Sequence, residues 1–145
     1  MIRLDRQIDV DRSANEVFER LTRIEDLPHW QPAILEAAVT SPGEMTTGST
    51  LRLVIDAGGR RTEATGRVVD FAEPERLGIE ATAGSAAVAA QLTVEPLDDA
   101  RSRVDLHTEI RLGGMLRFVE GMVRGRIEAE APEAAASMKR WLEAD

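Results

Sequence analysis

From Ile2 to Val10 the chain alternates, with Ile2, Leu4, Ile8 and Val10 set against Arg3, Asp5, Gln7 and Asp9. A period of two is that of a strand with one buried face. Arg6 falls on the apolar side, where it either points into an interior space or snorkels at the strand's edge. Ser13 with Glu16 three residues on is a capping box and predicts a helix to about Thr22, buried through Val17, Phe18 and Leu21. A second helical turn is expected around residues 25–27, beside Pro28. Alternation then returns six times. The expected strands are residues 34–40, a stretch holding Leu51, Leu53 and Ile55, residues 60–71, 77–83, 86–97, and a last one holding Val104, Leu106, Thr108, Ile110 and Leu112. Hairpin-length turns separate most of them, Gly58-Gly59 and Gly84-Ser85 among them, so the sheet should be antiparallel. Gly66 marks a bulge or a close approach.

After Gly113-Gly114 the period changes. Leu116, Val119, Val123, Ile127, Ala131, Ala134, Met138 and Trp141 recur at steps of three and four, which predicts one helix from Met115 to about Ala144. At ~1.5 Å per residue it would span roughly 45 Å, enough to cross a whole sheet. Pro132 removes one hydrogen bond, to the Glu128 carbonyl, and should kink the helix without ending it. Met115, Phe118 and Met122 form a second apolar row in the first half only. That half offers more apolar surface than one sheet contact needs. The whole reads as an α+β domain, residues 1–145, in which an antiparallel sheet of about seven strands is covered by the long helix.

Several stretches carry a resemblance in their order and spacing. They are Ile8-Asp9-Val10 before Ser13-Ala14-Asn15-Glu16-Val17-Phe18, Asp26-Leu27-Pro28-His29-Trp30-Gln31-Pro32, Gly48-Ser49-Thr50, Gly66-Arg67-Val68, Glu73-Pro74-Glu75-Arg76-Leu77, and the closing Met138-Lys139-Arg140-Trp141-Leu142-Glu143. Together the chain resembles the START and birch-pollen-allergen-like (SRPBCC) superfamily, and within it the bacterial polyketide cyclase/dehydrase-like group. The resemblance covers essentially the whole chain. It implies the helix-grip fold, a curved sheet wrapped around the C-terminal helix, with two short helices after the first strand. It also implies a cavity between sheet and helix. Proteins of this kind carry lipids, sterols or plant hormones, or cyclise aromatic polyketides, or have no known activity. Cyclising members often line the cavity with several aromatic and ionisable residues, whereas this chain has no Tyr and 3% aromatic residues.

On that fold the cavity walls are expected from the inward alternates Leu53, Ile55, Leu92, Leu106, Thr108 and Ile110. Met115, Phe118 and Met122 would be contributed by the helix, and Trp30 would stand near the mouth. Methionine adapts to varied apolar shapes. The same residues could equally fill a core. The alanine-rich run Ala86-Ala87-Val88-Ala89-Ala90 leaves room for a ligand or lets a helix come close, and Gly121 and Gly125 pose the same choice.

Composition narrows the function further. A net charge of −8 without a basic stripe argues against nucleic acid and against anionic membrane surfaces. No run approaches the ~20 apolar residues of a membrane span, and the first residues lack a signal-peptide pattern, so a cytoplasmic location is expected. With no Cys there is neither disulfide nor thiolate chemistry. The two histidines, His29 and His107, share no metal-ligand spacing, so no metal and no cofactor is expected. No serine sits in a nucleophile elbow and there is no phosphate loop. Glu63, Arg67 and Gln91 would reach the cavity only if a bulge turned their strands, and Glu63 and Arg67 would then be the acid/base and anion-binding candidates. No oligomeric state is implied. Three functions fit the sequence: binding of a small hydrophobic ligand, a cyclase or dehydratase reaction, and an interaction module with a filled core.

Overall fold

The computed structural model describes residues 1–57 and 59–144. Seven strands form one antiparallel sheet: β1 (Ile2–Val10), β2 (Ile34–Val39), β3 (Thr50–Ala57), β4 (Arg60–Ala72), β5 (Arg76–Ala83), β6 (Ala86–Asp98) and β7 (Arg101–Leu112). Their spatial order is β1-β7-β6-β5-β4-β3-β2. Every neighbour beyond β1 is a sequence neighbour, as hairpin-length turns require. Between β1 and β2 lie α1 (Ala14–Leu21), a 3₁₀ turn (Ile24–Asp26) and α2 (Leu27–Trp30). The chain ends in α3 (Glu120–Glu143), which is continuous through Pro132. This is the helix-grip fold. The turn expected at Gly58-Gly59 lies partly outside the described residues; Gly59 has φ of +90°, which glycine adopts without strain.

Alternation decides which face each residue takes. In β1 and β7 the inward set is Ile2, Leu4, Arg6, Ile8 and Val10 beside Ile110, Thr108, Leu106, Val104 and Ser102. The register carries this row into β6 through Val88, Ala90, Leu92 and Val94, and into β5 through Leu77, Ile79 and Ala81. Gly66 is a close approach and not a bulge: a Cβ there would stand 3.2 Å from the Glu80 carbonyl oxygen. The bulge of β4 comes later, between Val68 and Asp70.

The capping box forms in half. Ser13 Oγ accepts from the Glu16 amide at 3.4 Å, while the Glu16 carboxylate turns to Arg12 at 2.9 Å. The helix start also departs from expectation. Residues Gly114–Val119 form a 3₁₀ helix, and the α-helix begins only at Glu120. Neither Gly113 nor Val119 supplies a capping side chain, so the first turns tighten instead.

The far end of α3 is held much more firmly. Met138 and Leu142 are fully buried in the main core with Phe18, Leu21, Leu27 and Trp30. Arg12 donates to the carbonyl oxygens of Leu142, Glu143 and Ala144 at 2.7, 3.1 and 2.9 Å, and Arg20 donates to those of Trp141 and Ala144 at 3.1 and 2.6 Å. Two guanidinium groups thus satisfy the carbonyls that a helix C-terminus leaves open and meet its negative dipole end. Glu143 returns the favour by accepting from the Asp11 amide at 2.9 Å and from Lys139 at 3.0 Å.

Two outcomes follow for stability. Leu142→Ala should cost about 2–5 kcal/mol in a denaturant titration, because a fully buried leucine leaves a cavity. The Asp11 amide, and next the Lys139 ammonium, hold the Glu143 carboxyl below the usual carboxylate range. A carboxyl depressed on folding stabilises above its unfolded value, near 4.3, and that stability disappears as pH falls through the folded value. Glu143→Gln should therefore be destabilised by roughly 0.5–1.5 kcal/mol at pH 7, and the gap to wild type should shrink below about pH 4.

Candidate functional site

The inward rows of the sheet are not buried evenly. Towards α1 and α2 they are closed: Leu106 is 6% exposed, Leu92 3%, Leu53 5% and Val104 0%. Towards the Gly84-Ser85 turn they open. Leu4, Val88, Ala90, Thr108, Ile110 and Leu112 are all half-buried, although they continue the same rows; Ile2, on the edge strand along which α3 packs, and Ala81 stay buried there at 0% and 7%. Ile55 at the other side is also half-buried. The alanines matter here, since Ala86 and Ala90 are inward positions filled by one methyl group each. The result is a trough, closed by the core at one end and open at the other.

The long helix borders this trough without filling it. Its closest packing is along β1 and against α1 and α2. Val119, Val123 and Ile127 are half-buried, while Met115, Phe118 and Met122 are 85%, 86% and 72% exposed. Gly121 and Gly125 are exposed, and a Cβ on either would meet nothing within 4 Å, so neither serves a close helix approach. The start of this segment is tied to the β5–β6 turn. The Gly113 amide donates to the Ser85 carbonyl at 2.9 Å and the Ser85 hydroxyl donates to the Gly113 carbonyl at 3.1 Å. A Cβ on Gly113 would stand 2.9 Å from that same Ser85 oxygen, which makes glycine necessary there. Gly114 follows with φ of +58°.

The expected site residues thus fall into three groups. Leu53, Leu92 and Leu106 are inward and nearly fully buried, and they form the floor where trough meets core. Ile55, Thr108 and Ile110 are inward and half-open. Met115, Phe118 and Met122 stand out in solvent at the trough's edge. Trp30 belongs to the core at 4% exposure, and its indole N–H is buried without a partner. Leu4 and Ala90, outside the expected lining set although Ala90 lies in the alanine-rich run, stand beside its members. Their signal was the register itself, since they flank Thr108 on either side.

The ionisable candidates lie elsewhere. Glu63 pairs with Arg52 at 2.6 Å and Arg67 with Glu80 at 3.7 Å, all four exposed on the outer face. Gln91 is exposed on that face too. The β4 bulge comes after Glu63 and Arg67 in the chain and so does not turn them inward. His107 is also outward, 2.6 Å from Asp5, and His29 is exposed and stacks on Trp141 with ring centroids 5.9 Å apart. Among the described residues of the concave rows there is no carboxylate and no histidine, and Arg6 is the one charged group away from the hairpin ends. Burial lowers its pKa from the ordinary arginine value. No group of three or more His, Asp or Glu among the described residues is arranged to hold a metal ion. None of the described helices is long and apolar enough to cross a membrane.

Comparison with known proteins agrees with this geometry. The family model described as "Polyketide cyclase / dehydrase and lipid transport" matches residues 1–143. The chain belongs to this family. Among solved structures, a START superfamily protein from Mycobacterium smegmatis superimposes with a TM-score of 0.75 at 16% identity, covering 94% of this chain and 92% of that one. The Zhui aromatase/cyclase from a Streptomyces species gives 0.77 at 15% identity, covering 97% and 92%. A conserved protein from Geobacillus kaustophilus gives 0.73 at 12%, covering 97% and 95%. No curated protein matches in sequence. At such identities the structural likeness establishes the shared fold, and the family match places the chain in the SRPBCC superfamily. The site itself must supply the rest.

Proposed function

We propose that this chain, acting as one domain in the cytoplasm, binds a small apolar or aromatic molecule, lipid- or polyketide-like, in the trough between the sheet and the first half of α3. One observation carries the reading: apolar positions of the sheet's inner face near the β5–β6 turn are half-open where their row neighbours are sealed. Such surface leaves water only when something covers it. In this reading Leu53, Leu92 and Leu106 are the floor, Ile55, Thr108, Ile110, Leu4 and Ala90 the walls, and Trp30 backs the closed end. Met115 and Phe118, on the 3₁₀ segment that follows Gly113, and Met122, in the first turn of α3, supply the cover. Burying roughly 300 Å² of ligand surface at ~25 cal/mol per Å² yields about 7 kcal/mol before the entropy of association is subtracted. A reaction of the cyclase or dehydratase type would need an inward acid or base. The concave rows offer none, which favours binding over chemistry.

Native mass spectrometry of the purified protein, paired with solvent extraction, tests this directly. A reproducible added mass that disappears on denaturation is expected; none, together with no thermal shift from fatty acids, sterols and aromatics, would leave the surface as the functional part. Two variants sharpen the test. Phe118→Ala should weaken ligand binding several-fold while changing stability by under about 0.5 kcal/mol, as befits an exposed ring. Ala90→Leu should fill the trough, lowering affinity at least tenfold at a folding cost below about 1 kcal/mol. In a packed core the same change would cost about 1–3 kcal/mol.

A further inference from the structure

Arg6 sits in the inward row of β1 between Leu4 and Ile8, opposite Leu106. The pairing of β1 with β7 runs without a shift from Ile2 to Val10, so the side chain shares the face of its apolar neighbours. It lies at the boundary where the sealed part of the row, Leu106 and Val104, gives way to the open part, Leu4 and Thr108. Its Nη1 is buried and has no hydrogen-bond partner. On the outer face, by contrast, Arg3, Arg52, Arg67, Arg76 and Arg103 each pair with a carboxylate.

An arginine remains charged at any working pH, and a buried charge without a partner is among the costliest features a fold can carry. The other buried side-chain group without a partner, Trp30 Nε1, is likewise a donor. What the interior lacks on both counts is an acceptor. For a neutral indole a water molecule suffices. For a planar, forked cation in an apolar row the fitting acceptor is an anionic oxygen pair, which takes two parallel N–H···O bonds.

We propose that Arg6 anchors an anionic oxygen group on the ligand of the trough, so that the natural ligand is an apolar or aromatic body ending in a carboxylate, an acidic phenol or enol, or a similar oxyanion. This rests on the trough being the binding site. It adds polarity to that site: the anion lies at the deep end, against Arg6, and the apolar body extends past Leu4, Thr108 and Ile110 towards the cover. The net charge of −8 makes any preference for an anion a local property, because the protein's overall field opposes it.

The test uses two fluorescent probes with the same rings, 8-anilinonaphthalene-1-sulfonate and neutral N-phenyl-1-naphthylamine, titrated in 150 mM salt with folding followed by circular dichroism. Wild type should bind the sulfonate at least tenfold more tightly than the neutral probe. Arg6→Met should lose that preference while keeping the neutral probe, and Arg6→Lys should retain part of it. Since Arg6→Met replaces a half-buried guanidinium, whose Nη1 is buried without a partner, by an apolar chain of similar length, the ligand-free variant should melt about 2–4 °C higher than wild type. Equal affinity for the two probes in wild type, or a melting temperature lowered by Arg6→Met, would overturn the anchor. If the neutral probe is nevertheless displaced by Ala90→Leu, the trough survives as the site and only the anchor fails. If neither probe binds, or Ala90→Leu leaves both unaffected, the trough falls and the anchor with it.

Discussion

Everything in this molecule depends on how the last turn of α3 is held. A helix end exposes carbonyl groups, and here Arg12 and Arg20 reach from the start of the chain to take them, while Met138 and Leu142 seat the same turn in the core. These contacts join residues more than a hundred positions apart. They fix the helix on β1 and α1, and so decide where the sheet is covered and where it is not. The opposite end is held by fewer contacts, all at the surface: Glu120 accepts from the N-terminal ammonium of Met1 at 2.8 Å, and Arg124 donates to the Met1 carbonyl at 2.9 Å. That end begins as an uncapped 3₁₀ segment after two glycines, tied to the β5–β6 turn by a pair of hydrogen bonds at Ser85.

The fold was legible in the sequence because its signals are short-ranged. Alternation from Ile2 to Val10 and from Val104 to Leu112 names a face without knowledge of the partner strand, and hairpin-length turns leave few ways to order the strands. The shift from period two to period three and a half at Gly113-Gly114 marks the last helix equally well. Even Arg6 announced itself, as the one charge on the apolar side of its strand.

The candidate site was legible only in part, for a physical reason. Periodicity says which residues share a face, and it is silent on whether anything lies against that face. Met115, Phe118 and Met122 are a row at helical spacing, yet what decides their exposure is how α3 is seated at Met138 and Leu142. Trp30 shows the opposite limit: it ends the short helix α2 beside Pro28, His29, Gln31 and Pro32, and nothing local announces that its ring joins the core with Phe18, Leu21 and Met138. Glu63 and Arg67 depended on a bulge, and a bulge one turn of the strand later leaves them outside.

A helix seated in the core at one end and held by surface contacts at the other behaves as a cantilever. Its root carries the folding free energy and its tip borders the trough. Substitutions at the tip bend the site without loading the root, so such a protein can exchange one small molecule for another over evolutionary time while its melting behaviour hardly changes.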